Sequence, residues 1–484
     1  MYHQAVFDEP LILELKGRRT LKLPHEDEKF DLNIPTGMER NEIGIGDREE
    51  FTVVRHFVKL SEMNFGADTD FYPLGSCTMK YNPKINDEIS SLPGFKYLHP
   101  LQDENDIQGA LKLMYELSES LKKITGMDAI TLQPLAGAQG EFTGLSIVRA
   151  YFEDKGELEQ RREVVVPDSA HGSNPASAAM AGFEAIEVPS YPDGTVNMEK
   201  FKEAVTEKTA AFMITNPNTL GIFEDKIVEM AEYAHSKGAL LYYDGANLNG
   251  IMTKTNPAKM GFDIVHLNLH KTFSTPHGGG GPGSGPVGVV EKLKDYLPVP
   301  IITYDGKYHL NYNVPKTIGK VASFYGNFGV LVRAWTYIKM MGEEGLRDAC
   351  ERAVLNSNYM KKKIEQFMPV PGKPLKKHEF VASSHDGNLP KAGDIAKHLI
   401  NKGVHAPTIY FPLIVPEALM IEPTESATKR EMDKFIETVK ETLTMKHEEL
   451  EQEPTNLKIT RIDDVDASRN PRPTYRIQKM SEKI

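Results

Sequence analysis

The sequence predicts an α/β fold with three parts. A large domain is built on a mostly parallel sheet covered by helices. A smaller carboxyl-terminal α+β domain and an amino-terminal arm complete it. Three observations lead there. Short apolar runs alternate with helical patterns over roughly residues 106–291, and those runs are rich in branched and aromatic side chains. At 484 residues the chain is also too long for one ordinary domain and able to bury a large core.

Residues 1–95 are rich in charge, Pro and Gly with few periodic runs, as expected of an arm. The stretch 106–126 predicts a helix ending at Gly126. The runs EVVVP (163–167), AFMIT (211–215), ALLYYD (239–244) and IVHLNLH (264–270) predict strands. Between them, 224–237 places Ile227, Met230, Ala231 and Ala234 on one helical face, with Gly238 as the stop. The run GGGGPGSGP (278–286) punctuates the alternation, followed by VGVVE (287–291) and a helix carrying Trp335. This assigns 96–340 to the large domain and 341–484 to the small one, whose polar end (451–484) reads as an extended tail.

Composition narrows the function classes. The net charge of −11 argues against a nucleic-acid or anionic-membrane partner, since both call for basic surface. Two cysteines, Cys77 and Cys350, cannot build a disulfide framework. With neither a secretory signal in residues 1–10 nor a membrane span, a soluble cytoplasmic protein is expected.

The ends of the predicted strands carry the chemistry. EVVVP leads to Asp168-Ser169-Ala170-His171, ALLYYD to Asp244-Gly245-Ala246-Asn247, and IVHLN to His270-Lys271-Thr272. Upstream, Gly137-Ala138-Gln139-Gly140 opens an amphipathic helix. In a parallel sheet these segments emerge at one edge and can line one pocket. Together they suit pyridoxal 5′-phosphate (PLP). Lys271 would carry the cofactor as a Schiff base, and Asp244 would keep the pyridine nitrogen protonated. Ala246 would lie under the ring and His171 would stack on its other face. Backbone N–H groups of Gly137, Ala138 and Gln139 would hold the phosphate at a helix N-terminus. His270 either assists proton transfer or packs against its strand. Asn218 either touches the pyridine oxygen or forms a turn beside Pro217. Each feature alone has an ordinary structural explanation; the order of the four, each after an apolar run, does not.

The motifs then resemble a known family. They are GSCTMKYNP (75–83), LQP (132–134) with GAQGE (137–141), HGSNP (171–175), TNPNT (215–219), DGANLN (244–249), NLHKTF (268–273) and MIEPTE (420–425). Together they are similar to the P-protein of the glycine cleavage system, within the fold-type I, aspartate aminotransferase-like PLP enzymes. The resemblance runs from about residue 10 to about residue 475 and fits the lysine-bearing half of that family where it is split in two. It implies oxidative decarboxylation of glycine, with transfer of the aminomethyl group to the lipoyl arm of H-protein. It also implies a subunit 1 partner in an α2β2 assembly and a channel admitting a lipoyl-lysine. One departure stands out: the fused form of the family carries Asn-Ser before Gly-Ala-Gln, where this chain has Leu135-Ala136. Two rival readings are another fold-type I enzyme, such as a decarboxylase or desulfurase, and a catalytically silent binding subunit. Lys271 opposes the second. Cys77 is expected to be a loop cysteine rather than a nucleophile, and no arginine stands in a motif that would read the substrate carboxylate.

Overall fold

The computed structural model describes residues 4–15, 33–38, 48–278, 281 and 283–471. Part of the glycine run (279, 280 and 282) and the last residues of the tail (472–484) therefore lie outside the described residues.

Seven strands form the central sheet: β1 (Ala129–Thr131), β2 (Glu163–Pro167), β3 (Glu184–Val188), β4 (Thr209–Thr215), β5 (Leu240–Gly245), β6 (Ile264–Leu267) and β7 (Val287–Val289). Their order is β1-β7-β6-β5-β4-β2-β3, and only β7 runs antiparallel to its neighbours. Side chains alternate across a strand, so each strand feeds two cores. Val165, Phe212, Leu241, Tyr243 and Val265 face one core. Val164, Met213, Leu240, Tyr242 and Ile264 face the other. The first core is closed by helices α1 (Gln108–Thr125), α4 (Ile227–Ser236) and α5 (Phe328–Ile364), the second by α2 (Gly137–Asp154) and α3 (Ser173–Met180). Helix α1 ends as expected, with Gly126 in the left-handed region (φ 75°). Each fully buried Leu, Val or Phe contributes about 1.5–3 kcal/mol here, which fixes the strand ends firmly.

Helix α5 is broken at Gly342 (φ 59°, ψ −171°) and continues into a separate apolar cluster. There an antiparallel sheet of β10 (Phe380–Ser383), β12 (Ala418–Ile421) and β11 (Thr408–Ile409) packs against α6 (Ala392–Asn401) and α7 (Lys429–Thr442). A hairpin, β8 (Ile301–Tyr304) with β9 (Tyr308–Asn311), completes the strands. No helix among the described residues is long and apolar enough to cross a membrane.

The segment before α1 reaches into both halves. Phe71 joins the small-domain cluster, and Leu74 bridges Ile421. Gly75 N–H donates to the Met420 carbonyl at 3.2 Å, and an added Cβ would lie 2.4 Å from the Met420 side chain. A larger residue would push this segment off β12, and with it the next residues, Ser76 and Cys77.

Candidate active site

The carboxyl ends of β4, β5 and β6, the start of α2 and the segment at 76–77 enclose a cavity of about 290 Å³. Lys271, His171, Asp244, Ala246, Gly137, Ala138 and His270 all line it. Strand β6 ends at Leu267, earlier than the apolar run suggests. Asn268 then starts a single helical turn, Leu269–Thr272, that presents Lys271. Thr272 is buried, and its hydroxyl accepts from Leu248 N–H at 2.8 Å, so it locks the turn rather than facing the cavity.

Asp244 is 4% exposed. Burial alone would raise its carboxyl, but the His266 ring, an Asn174 hydrogen bond, Lys271 and His171 outweigh it and hold the group below its ordinary value. Asn174 Nδ2 donates to Asp244 Oδ2 at 2.8 Å, the His266 ring stands 3.4 Å from Oδ1, and Ala246 N–H donates to Oδ1 at 3.3 Å. An ionised, oriented carboxylate therefore sits at the cavity floor.

His171 is exposed on the cavity side, and its Nδ1 pairs with Ser173 Oγ at 2.7 Å. Ser173 in turn donates to Glu141 at 2.7 Å. Glu141 also accepts from Asn174 (3.1 Å) and Ser177 (3.2 Å), so one buried carboxylate braces both the His171 loop and the Asn174 that orients Asp244.

At the start of α2, Ala136 has extended backbone and caps nothing with its side chain, which leaves the first-turn N–H groups facing outward. Gly137 must be glycine, since a Cβ would fall 2.4 Å from Asn268 Oδ1. Gln139 does not line the cavity. Its side-chain oxygen accepts from Leu135 N–H at 2.6 Å and its amide donates to the Val321 carbonyl, so only its backbone N–H is left for a ligand.

His270 sits between Lys271 and His277, and burial, then the Lys271 charge, pushes its pKa down to about 3. It is a neutral ring, unable to act as a cationic acid near neutral pH. Burial likewise raises the Cys77 thiol, so the loop-cysteine expectation agrees with its setting.

Asn218 is the correction. Its Nδ2 donates to the Gly194 carbonyl (2.7 Å) and its Oδ1 accepts from Leu220 and Ile222 N–H (3.0 and 3.1 Å). Its amide oxygen accepts twice and its amide nitrogen donates once in closing the turn after the Asn216-Pro217 bond, and it does not line the cavity. The turn-forming alternative accounts for it.

Four groups that line the cavity have buried polar atoms without a protein partner: Thr215 Oγ1, Asn268 Oδ1, His270 Nδ1 and both ring nitrogens of His378. A site holding a lysine, an ionised carboxylate, an exposed histidine, a helix N-terminus and unpaired hydrogen-bonding groups suits a phosphorylated aromatic aldehyde.

Comparison with known proteins follows the same line. Proteins named probable glycine dehydrogenase (decarboxylating) subunit 2 are similar over nearly the full chain. That of Pyrococcus furiosus is 57% identical over 99% of this chain and 98% of its own length. That of Thermoplasma volcanium is 55% identical over 97% and 98%.

The chain belongs to the glycine dehydrogenase (decarboxylating) subunit 2 family.

Family models agree: glycine dehydrogenase, C-terminal domain, matches residues 349–461, and aminotransferase class-V matches 140–280. A crystal structure of glycine decarboxylase (P-protein) of the glycine cleavage system, in inhibitor-bound form, superposes with a TM-score of 0.70 at 19% identity. That match covers 85% of this chain and 92% of that one. A NifS-like protein superposes at 0.60 with 16% identity, over 78% of this chain and 100% of its own. At such identities the likeness speaks to the fold, which is that of the fold-type I PLP enzymes. In this member of the glycine dehydrogenase family, several residues that line or brace the cavity were not marked by the sequence. Glu141 and Asn174 lay inside quoted motifs without a role. His266 left one signal, a histidine inside an otherwise apolar strand. His378 and Glu379, which also line the cavity, come from the small domain and left none.

Proposed function

We propose that this chain is the PLP-bearing subunit that decarboxylates glycine and passes the aminomethyl group to the lipoyl arm of H-protein. The observation that carries the reading is the meeting of Lys271, Asp244, His171 and the α2 N-terminus in one cavity, in a chain of this family. PLP, when bound, supplies an electron sink that accepts the pair left by departing CO2.

The chain's own residues do the rest. Lys271 would hold the aldehyde through its side-chain amine. Asp244, kept ionised by His266 and Asn174, holds a proton on the pyridine nitrogen. His171, fixed through Ser173 and Glu141, would cover one face of the ring, and the small Ala246 would leave room on the other. N–H groups of Gly137, Ala138 and Gln139 receive the phosphate. His270, neutral and lining the cavity beside Lys271, would offer its unpaired Nδ1 to a ligand. The relatives' naming as subunit 2 supports a subunit 1 partner, here in an α2β2 assembly, and the composition supports a cytoplasmic setting.

The test is release of labelled CO2 from carboxyl-labelled glycine by the loaded chain with subunit 1 and lipoylated H-protein. Release with glycine and not with alanine is expected. A loaded chain silent with glycine but active on another amino acid overturns the substrate assignment.

A further inference from the structure

Amino-acid substrates carry a carboxylate, yet among the described residues no arginine lines the cavity. The small domain presents something else. His378 is 2% exposed, and neither ring nitrogen has a hydrogen-bond partner. Gly250 packs against Nδ1, where a Cβ would lie 2.8 Å away, so the free edge is Nε2, 3.6 Å from Glu379 Oε1. Glu379 is 4% exposed and accepts one hydrogen bond, from Ser76 N–H to Oε2 at 2.9 Å. Beside it lies Glu422, fully buried, whose oxygens accept from Thr78 N–H (3.1 Å), Thr78 Oγ1 (2.7 Å) and Asn247 Nδ2 (2.8 Å). One atom each of His378, Glu379 and Glu422 falls within 4.8 Å of the others.

Two carboxyl groups this close and this buried retain a proton between them. Hydrogen bonding decides where it sits. Burial raises the Glu422 carboxyl as well, but three donors oppose that and favour its ionised form, while Glu379 has one donor and a free Oε1. Burial, then the Glu422 charge, pushes Glu379 well above its ordinary value. Burial, then Lys271, holds His378 down at about 3. Both are thus neutral at the cavity wall, each with a hydrogen available to an incoming anion.

We propose that Glu379 and His378 together receive the substrate's carboxylate, in the role an arginine would otherwise take. This rests on the reading of the cavity as an amino-acid site. It also fits the chemistry. Loss of CO2 disperses the carboxylate charge, so a guanidinium would stabilise the ground state more than the transition state. Two neutral donors orient the group without pinning its charge.

Glycine and methylamine separate the contribution of the carboxylate from that of the amine. Each is titrated into the PLP-loaded chain with subunit 1 present, and binding is read from the cofactor's visible absorbance. Glu379→Ala and His378→Phe are each expected to weaken glycine roughly tenfold or more, the scale of one hydrogen bond to a charged group, and to leave methylamine within about twofold. Glu379→Gln, which keeps an acceptor for Ser76 and a donor for the ligand, is expected to restore the glycine preference that alanine abolishes. Equal weakening of both amines, or glutamine behaving as alanine does, overturns the proposal. If wild type shows no cofactor band, the amino-acid-site reading fails instead, and the proposal falls with it.

Discussion

Lys80 is the sharpest test of how the amino-terminal segment supports the site. The residue is 3% exposed, and its ammonium pairs with Glu425 Oε1 at 2.7 Å and donates to the Thr272 carbonyl at 2.8 Å and Tyr337 OH at 3.3 Å. Burial alone would depress it, but Glu425 and Tyr337 reverse the effect and keep it charged. Replacement by methionine keeps the bulk of the stem and leaves Glu425, whose side chain is 15% exposed, without a cation. Removing one member of a buried pair costs about 3–5 kcal/mol. The unfolding entropy of about 2.1 cal/mol/K per residue, taken over 484 residues, is about 1 kcal/mol/K, so a whole-chain transition should fall by about 3–5 °C. Adding Glu425→Gln removes the stranded charge and should recover at least half of the loss. Differential scanning calorimetry of wild type, Lys80→Met, Glu425→Gln and the double variant reads this directly. A shift below about 1 °C, or a double variant as unstable as the two singles summed, would refute the claim that this pair anchors the turn bearing Lys271.

Asp244→Asn should keep PLP bound but slow CO2 release from glycine by ~10²–10³, the usual effect of removing one preorganised electrostatic group; activity within tenfold of wild type contradicts its role at the ring nitrogen. Ala136→Ser places a hydroxyl at the start of α2 where it can donate to the phosphate. One hydrogen bond to a charged group, about 1.5 kcal/mol, should lower the Kd for PLP measured by equilibrium titration about tenfold; no tightening argues that the phosphate does not sit at this turn. His405 stacks on Tyr72 with ring centroids 3.6 Å apart, and burial lowers its pKa to about 4. Its folded pKa lies below its unfolded value, so its contribution is fully present above about pH 6.5 and is lost as pH falls towards 4. His405→Phe keeps the stack without the titration. It should therefore gain on wild type by about 1.4 kcal/mol per pH unit across that window in urea midpoints, and a pH-independent gap would dismiss the effect.

Much of the fold was legible because it follows from local periodicity. The apolar runs at β2, β4 and β5 and the stop at Gly126 follow from side-chain alternation and backbone freedom alone. Strands β1 and β3 were not visible. The first has only three residues, and the second, EAIEV, is an edge strand whose exposed glutamates interrupt its apolar character. The reversed direction of β7 depends on where the chain returns after the glycine run, which no short window records. The same division holds at the site. Lys271, Asp244, His171 and Ala246 stand at strand ends or just beyond them, so their meeting could be read from order. Asn218 also follows a strand, yet both ends of its amide are engaged in closing the turn. His378 and Glu379 reach the cavity only because the small domain folds back over it, a contact spanning more than a hundred residues.

The most direct test is borohydride reduction of the PLP-loaded chain followed by peptide mapping. The account predicts a visible band near ~420 nm, typical of PLP joined to a lysine, and a stable pyridoxyl adduct on Lys271 alone. In Lys271→Ala both should vanish while the fold persists. An adduct on a different lysine, or an unchanged band in Lys271→Ala, would contradict the assignment on which the cofactor site, the reaction and the carboxylate pocket all depend.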